Sequence, residues 1–366
     1  MKRKNVLAAV TVLAVSSGLL TVSALTVPYF VGSMMANAAP SASEVSTRED
    51  KPAMRLASQK TPVLKVEGKA PVSTVREYLQ GIMTEAEIQQ IYHYVDNSKM
   101  EGEPASRTMN ERELKRLKIL DEQYVYEGVR PQKPLPLKPG MSSFYLDIEN
   151  DYFVYPAREL TDEELLQYVD WYARVNFALG KRIVKPEPDA KDIGKEEALS
   201  KAADRIKRLF DADVTRMEAS AAYNKFGPEQ QGEWFLHFQP YRVGTLNANG
   251  EAYLMYDVYI DSISGKVLDT TVVNPSYKRT PITPEMNKKI RQDPSWIEAA
   301  KSIVIKKQGE GQAIKKSSFI QDTVYDKRGV VAVALELEDG SSYIAELRYP
   351  EKALRCLIYH PAKGGL

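Results

Sequence analysis

An α+β fold is predicted, with an N-terminal helical region followed by two tandem helix-plus-antiparallel-meander units. Three observations predict it. Apolar residues recur at helical spacing in several segments between Met83 and Leu179. From Ile193, a helical pattern rich in alanine gives way to four short runs of alternating apolar and polar residues, each bounded by turn formers. The same order, one helix and then four runs, returns after Asp293. Alternation marks half-buried antiparallel strands, and segregated helices on such strands define the class.

The chain of 366 residues is long enough for about two or three compact units, at roughly 100–200 residues each. Its 43% hydrophobic content supports sizeable cores. Basic and acidic residues number 50 and 49, a net charge of +1. That balance excludes the basic excess expected of a nucleic-acid binder. The single cysteine, Cys356, excludes an intramolecular disulfide and a cysteine-based zinc site. His93, His237 and His360 lack ligand spacing and read as ordinary helix or strand residues. No cofactor is implied.

Each element follows in order. Lys2-Arg3-Lys4 precedes an uncharged run to Ser43 with an apolar core from about Val6 to Met35. Residues 1–38 therefore read as an export segment that places the body outside the cytoplasm. Two outcomes fit: cleavage at the small-x-small sequence Ala36-Asn37-Ala38, or retention as a membrane anchor, since the run exceeds the ~20 residues of one bilayer crossing. Cleavage removes three basic residues and moves the net charge from +1 to −2. Residues 39–72, rich in Ser, Thr, Pro, Ala and charge, form a flexible spacer.

Residues 73–185 are predicted to be mainly helical. Thr84 and Glu87 have the form of a capping box, with Met83 stapled onto Ile88, and Ile88, Ile91, Tyr92 and Val95 share one face. Asn110 to Leu120 is basic and amphipathic. Arg130 to Gly140 holds four prolines and reads as a stiff polyproline-like connector, and Phe144 to Tyr155 as a short β-segment. Thr161 and Glu164 cap a longer helix with an apolar face from Leu165 to Phe177, predicted to stop at Gly180. Asp162, Glu163 and Glu164 sit in its first turn, where they oppose the helix dipole.

The first unit, residues 190–275, comprises a helix over Lys195–Phe210 and strands near Val214–Tyr223, Glu233–Val243, Tyr253–Asp261 and Lys266–Val273, with a polar loop through Asn247-Ala-Asn-Gly250. The second, residues 290–366, begins with Asp293 as N-cap and Pro294 at the first helical position. Its strands are placed near Ile314–Tyr325, Val330–Glu338, Tyr343–Leu347 and Leu354–Tyr359, with hairpins at Asp326–Gly329 and Asp339-Gly340.

These residues carry a resemblance. The helix containing Ala198, the Trp234-bearing strand Glu233-Trp-Phe-Leu-His-Phe, and Tyr256-Asp-Val-Tyr-Ile-Asp261-Ser-Ile-Ser-Gly265-Lys-Val-Leu look like a PepSY domain over residues 190–275. Residues 293–362 resemble it more loosely, because Tyr349-Pro-Glu-Lys-Ala-Leu replaces the Asp-x-x-x-Gly turn. Together with the leader and the Glu159-Leu-Thr-Asp-Glu-Glu-Leu-Leu helix, the chain is similar to secreted proteins of spore-forming Gram-positive bacteria. The resemblance implies a binding or regulatory module, with Ala198, Trp234, Asp261 and Gly265 in structural roles and no catalytic residue to transfer.

No Gly-x-Ser-x-Gly elbow, His-Glu-x-x-His helix, phosphate-binding loop or dinucleotide fingerprint occurs. Cys356 and His360, four residues apart in a strand, stand about 13 Å from each other and cannot form a dyad. Asp257 and Asp261 share a strand face at the same separation, but Asp261 is accounted for as a turn former. Trp234, Phe238, Tyr253 and Tyr259 are the candidate interaction surface. The expectation is an extracytoplasmic, non-enzymatic binding or regulatory protein of the bacterial cell envelope, inhibiting or localising a hydrolase or protease. The alternatives are a secreted hydrolase with an unrecognised acidic site, or a passive envelope or spore component. The expected partner is an envelope protein, with no nucleic acid and with membrane contact through the N-terminal segment alone.

Overall fold

The computed structural model describes residues 71–97, 107–138, 140–183, 185–226 and 231–362. The predicted leader and nearly all of the predicted spacer lie outside the described residues. Among those described, no helix is long and apolar enough to cross a membrane. The α+β expectation holds: a helical layer leads into a mixed helix and sheet region.

The helical layer comprises α1 (Pro71–Ile82), α2 (Glu85–Asn97), α3 (Glu111–Tyr126) and α4 (Asp162–Arg182), with the hairpin β1 (Tyr145–Asp147) and β2 (Tyr152–Val154) before α4. Capping chemistry sets their starts. The Glu87 carboxylate accepts from the Thr84 backbone N–H at 2.8 Å. Asn110 and Thr161 form complete capping boxes with Glu113 and Glu164. Leu117 and Leu120 of α3 and Leu165 and Leu166 of α4 are buried. Asp170 on α4 ties the layer internally, accepting from the Tyr124 hydroxyl at 2.8 Å and from Arg174 Nε at 2.6 Å. The proline-rich connector is anchored by its buried Leu135 and by Glu163, which accepts from the Gln132 N–H at 2.7 Å.

α4 does not stop at Gly180. It continues to Arg182, and Gly180 keeps a helical backbone. A mid-helix glycine costs about 1 kcal/mol. Contacts on both sides offset that cost: Ala178 is fully buried and its carbonyl accepts from the Tyr92 hydroxyl, while Arg182 forks onto Asp96 and stacks on the Tyr92 ring.

Among the described residues that follow, the strands form one antiparallel sheet of eight. The elements are α5 (Lys195–Phe210), β3 (Glu218–Phe226), β4 (Gln231–Gln239), α6 (Val243–Ala248), β5 (Met255–Asp261), β6 (Val267–Val273), α7 (Pro284–Gln292), α8 (Ser295–Ser302) continuing as a wider π turn over Ile303–Gln308, β7 (Ile314–Phe319), α9 (Thr323–Arg328), β8 (Val330–Leu337), β9 (Ser342–Arg348) and β10 (Ala353–His360). The spatial order is β3-β4-β5-β6-β10-β9-β8-β7. Two four-stranded meanders, each led by a helix, are thus joined edge to edge through their last strands, Thr271 opposite Cys356.

The halves repeat one another in backbone detail. Gly265 closes the β5–β6 turn by donating to the Asp261 carbonyl at 2.9 Å, and Lys352 closes the β9–β10 turn by donating to the Arg348 carbonyl at 2.9 Å. Both residues are left-handed, at φ 65° and 57°. Three residues after each, one residue bulges out of the ladder: Leu268 in β6 and Arg355 in β10. Lys352 pays for its left-handed backbone with a side chain that reaches Asp293 at 2.9 Å and lies over the Trp296 ring.

Several local expectations are corrected. Thr283 caps an additional helix, α7, which Asp293 ends; the next helix begins at Ser295 with Pro294, not Asp293, at its N-cap position, and Asp293 accepts from the Ser295 N–H at 3.0 Å. Asp326–Gly329 is no hairpin: Asp322 caps the short helix α9, and Gly329 terminates it. The loop after Tyr241 coils into α6, and strands β3, β4 and β7 begin or end several residues from the predicted limits. Gly329, at φ 65°, packs against the Thr280 carbonyl where a Cβ would collide. Gly329→Ala is expected to cost about 2 kcal/mol or more, read as a lower urea midpoint, because both the conformation and the space exclude a side chain.

Candidate functional site: the uncovered face of the sheet

Helices α5 and α8 take one face of the sheet. Ala198, Ala202, Ile206 and Leu209 of α5, with Trp296, Ala300 and Val304 of the second helix, are buried against inward residues of β3–β10. Strand alternation decides what lies beneath them. Trp234, Leu236 and Phe238 of β4 and Tyr256, Val258 and Ile260 of β5 point inward. Trp234 and Phe238 are therefore core, with the Trp234 Nε1–H donating to the Ile193 carbonyl at 3.0 Å. Tyr253 is buried too, its hydroxyl accepting from Asn247 Nδ2 at 3.2 Å. The structure does not bring the four predicted interaction residues together on a surface. Tyr259 alone lies half-exposed, on the opposite face. Ala198 is fully buried against the sheet, and Asp261 accepts from the Ser264 N–H at 2.6 Å in the turn that Gly265 completes.

The opposite face carries two rows that run across six and five of the eight strands. In the first, Phe235, Tyr259, Asp269, Ile358, Ile344 and Ala334 stand directly opposite one another on β4, β5, β6, β10, β9 and β8. All are half-buried, and the Phe235 and Tyr259 rings lie 4.9 Å apart between centroids. In the second, His237, Asp257, Thr271, Cys356 and Glu346 are aligned in the same way.

The second row is a polar network. His237 Nδ1 lies 2.6 Å from Asp257, and Nε2 lies 3.3 Å from Gln239 Oε1. Gln239 donates to Glu218 at 3.4 Å, and Glu218 accepts from the Tyr126 hydroxyl of α3. The chain of contacts thus runs from the helical layer to mid-sheet. Further along, Thr271 donates to Cys356 Sγ at 3.0 Å, the thiol reaches Asp269 at 3.2 Å, and Arg355 pairs with buried Glu346. Ser220 stands opposite His237 and completes a Ser–His–Asp order across three strands. Nε2 lies beside Gln239 of the same strand, and Nδ1 links β4 to β5 through Asp257.

Electrostatically the face is acidic. Burial pushes the Glu233 carboxyl up to about 7, and the neighbouring Asp269 and Asp261 charges add to the shift. Burial likewise raises Asp269 to about 6, although Cys356 and Thr271 hydrogen bonds oppose it. Cys356 is raised well above an ordinary thiol by burial and is thus held as the neutral form. Among the described residues no three His, Cys, Asp or Glu side chains are grouped to hold a metal ion. The arrangement is suited to contact, through rings and aliphatic groups flanked by carboxylates.

A second polar cluster fixes the helical layer to the sheet. Glu122 of α3 accepts from the Gly244 N–H at 2.5 Å and from the Thr245 N–H at 3.0 Å, and Arg242 pairs with Glu127 at 2.5 Å. Sequence reasoning missed Phe235 and the His237–Asp257 contact. The available signal was alternation itself: Phe235 and His237 occupy the positions between the apolar stripe of Trp234, Leu236 and Phe238. The chain matches no family model, no curated protein and no solved structure.

Proposed function

We propose that the chain is an extracytoplasmic, non-enzymatic binding or regulatory protein of the bacterial cell envelope, whose task is to hold a partner protein such as a hydrolase or protease. The observation that carries this reading is the sheet face opposite α5 and α8. One row of that face is half-buried, with Phe235 and Tyr259 on one side of Asp269 and Ile358 and Ile344 on the other. Protein partners are commonly recognised through such an apolar strip with a polar rim. The leader-like N-terminus and the PepSY resemblance of residues 190–275 support location and role. The test is lysine-reactive crosslinking in intact cells expressing the full chain, followed by mass spectrometry. A discrete, reproducible protein adduct is expected. Recovery of the free chain alone would overturn the reading.

A further inference from the structure

The uncovered face specifies what fits on it. Neighbouring strands lie about 4.8 Å apart, so Tyr259 on β5 and Ile358 on β10 stand roughly 10 Å from each other across β6. An α-helix with its side chains is about 10–12 Å in diameter. The Phe235–Tyr259 pair and the Ile358–Ile344 pair are therefore two apolar ledges spaced to flank one helix running along β6. The fold already uses such an arrangement, since α5 packs on the covered side of β4, β5 and β6.

Charge selects the kind of helix. The outward positions of β3 to β6 hold Glu218, Glu233, Asp257, Asp261 and Asp269 and, among the described residues, no lysine or arginine. Four of these carboxylates are committed: Glu218 to Tyr126 and Gln239, Asp257 to His237, Asp261 to its own turn, and Asp269 to Thr271 and Cys356 with Arg355 nearby. Glu233 remains, diagonal to Tyr259 across the β4–β5 pair. A cation placed against it would lie over the Tyr259 ring face, where ring and carboxylate attract it together. Anionic partners meet the opposite balance.

We propose that this strip is the docking site for a basic amphipathic helix of a partner protein, with its apolar stripe on Phe235, Tyr259, Ile358 and Ile344 and a lysine or arginine side chain on Glu233. The inference rests on the binding-protein reading and narrows it to one face and one chemistry.

Titration of the full chain by fluorescence anisotropy tests it with three 18-residue peptide probes. One has leucine and lysine in helical order, one the same composition in alternating order, and one leucine and glutamate in helical order. The helical lysine peptide is expected to bind, weakening as salt rises, and the glutamate peptide to give no saturable signal. Phe235→Ala and Glu233→Gln are each expected to weaken binding about tenfold, the scale for an interface aromatic or a charge pair. The second variant is near-isosteric and keeps the test open if the first disturbs packing. Glu298→Gln, an exposed change on α8, should leave binding unchanged. Equal binding of the glutamate or alternating peptide, or indifference to the face substitutions, would overturn the proposal. So would dimerisation of the chain abolished by those substitutions, which would assign the face to a second copy. A cellular partner captured equally well by the substituted chain would leave the binding-protein reading intact and remove this site.

Discussion

Replacing Arg205 with methionine is expected to stabilise the protein by about 1–3 kcal/mol, the range in which an apolar side chain of similar size replaces a desolvated charge. Arg205 lies on the sheet-facing side of α5 and is 1% exposed. Its Nε makes one long contact, 3.4 Å to Thr270 Oγ1, and neither terminal guanidinium nitrogen has a hydrogen-bond partner in the fold. Burial pulls the group down to about 10, against the partial support of Tyr343 and Asp269. Methionine keeps the unbranched stem, adapts to irregular space and removes the charge. Urea unfolding should show a higher midpoint with an unchanged slope. A lower midpoint would mean that the guanidinium earns its place through a contact that the fold alone does not supply.

Glu113→Gln is expected to act in the opposite direction, by about 3 kcal/mol, as when one partner of a buried charge pair is neutralised. The Glu113 side chain is fully buried, and it accepts both terminal nitrogens of Arg107, at 2.7 and 2.8 Å, together with the N–H groups of Asn110 and Leu160. It therefore closes the cap of α3 and pins the segment entering α4 at once. The Arg107 fork, with the two backbone donors, holds the carboxyl down to about 2. A lowered folded-state value means that the unfolded chain binds the proton more readily. The stabilisation is complete above about pH 4.5 and is lost as pH falls toward 2. Hydrogen-exchange protection factors of α3 and α4, normalised to the intrinsic rate at each pH, should fall through that window in the parent protein. In the glutamine variant they should already be low at neutral pH and lose this acid dependence. Equal protection in both proteins at pH 7 would contradict the assignment.

Local chemistry was readable from the chain where it acts over a few residues. The capping boxes at Thr84 and Thr161, the helix over Lys195–Phe210, and the inward set of β5 all follow from short-range spacing. What escaped notice depends on partners distant in sequence. Nothing near Thr271 announces that Cys356 will stand opposite it, because strand neighbours are chosen by register and packing across the whole sheet. Gly180 stays helical through contacts with Tyr92 and Asp96, some 86 residues earlier. The site was misplaced for a related reason. Trp234 and Phe238 drew attention by size, but size favours burial, and their strand period assigns them to the covered side together with Leu236.

The join between the two meanders is short. Three residue pairs, Cys356 with Thr271, Leu357 with Thr270 and Ile358 with Asp269, hold β10 to β6, whereas β3 and β4 share nine. Forming it requires closure of a long intervening loop, and each meander can complete its own ladder beforehand. The seam is accordingly the last part of the sheet to zip during folding. Under mild denaturation the strand seam is expected to open before either ladder, resisted by Leu209 of α5, which is buried in the core of the second half and bonded through its carbonyl to Lys307.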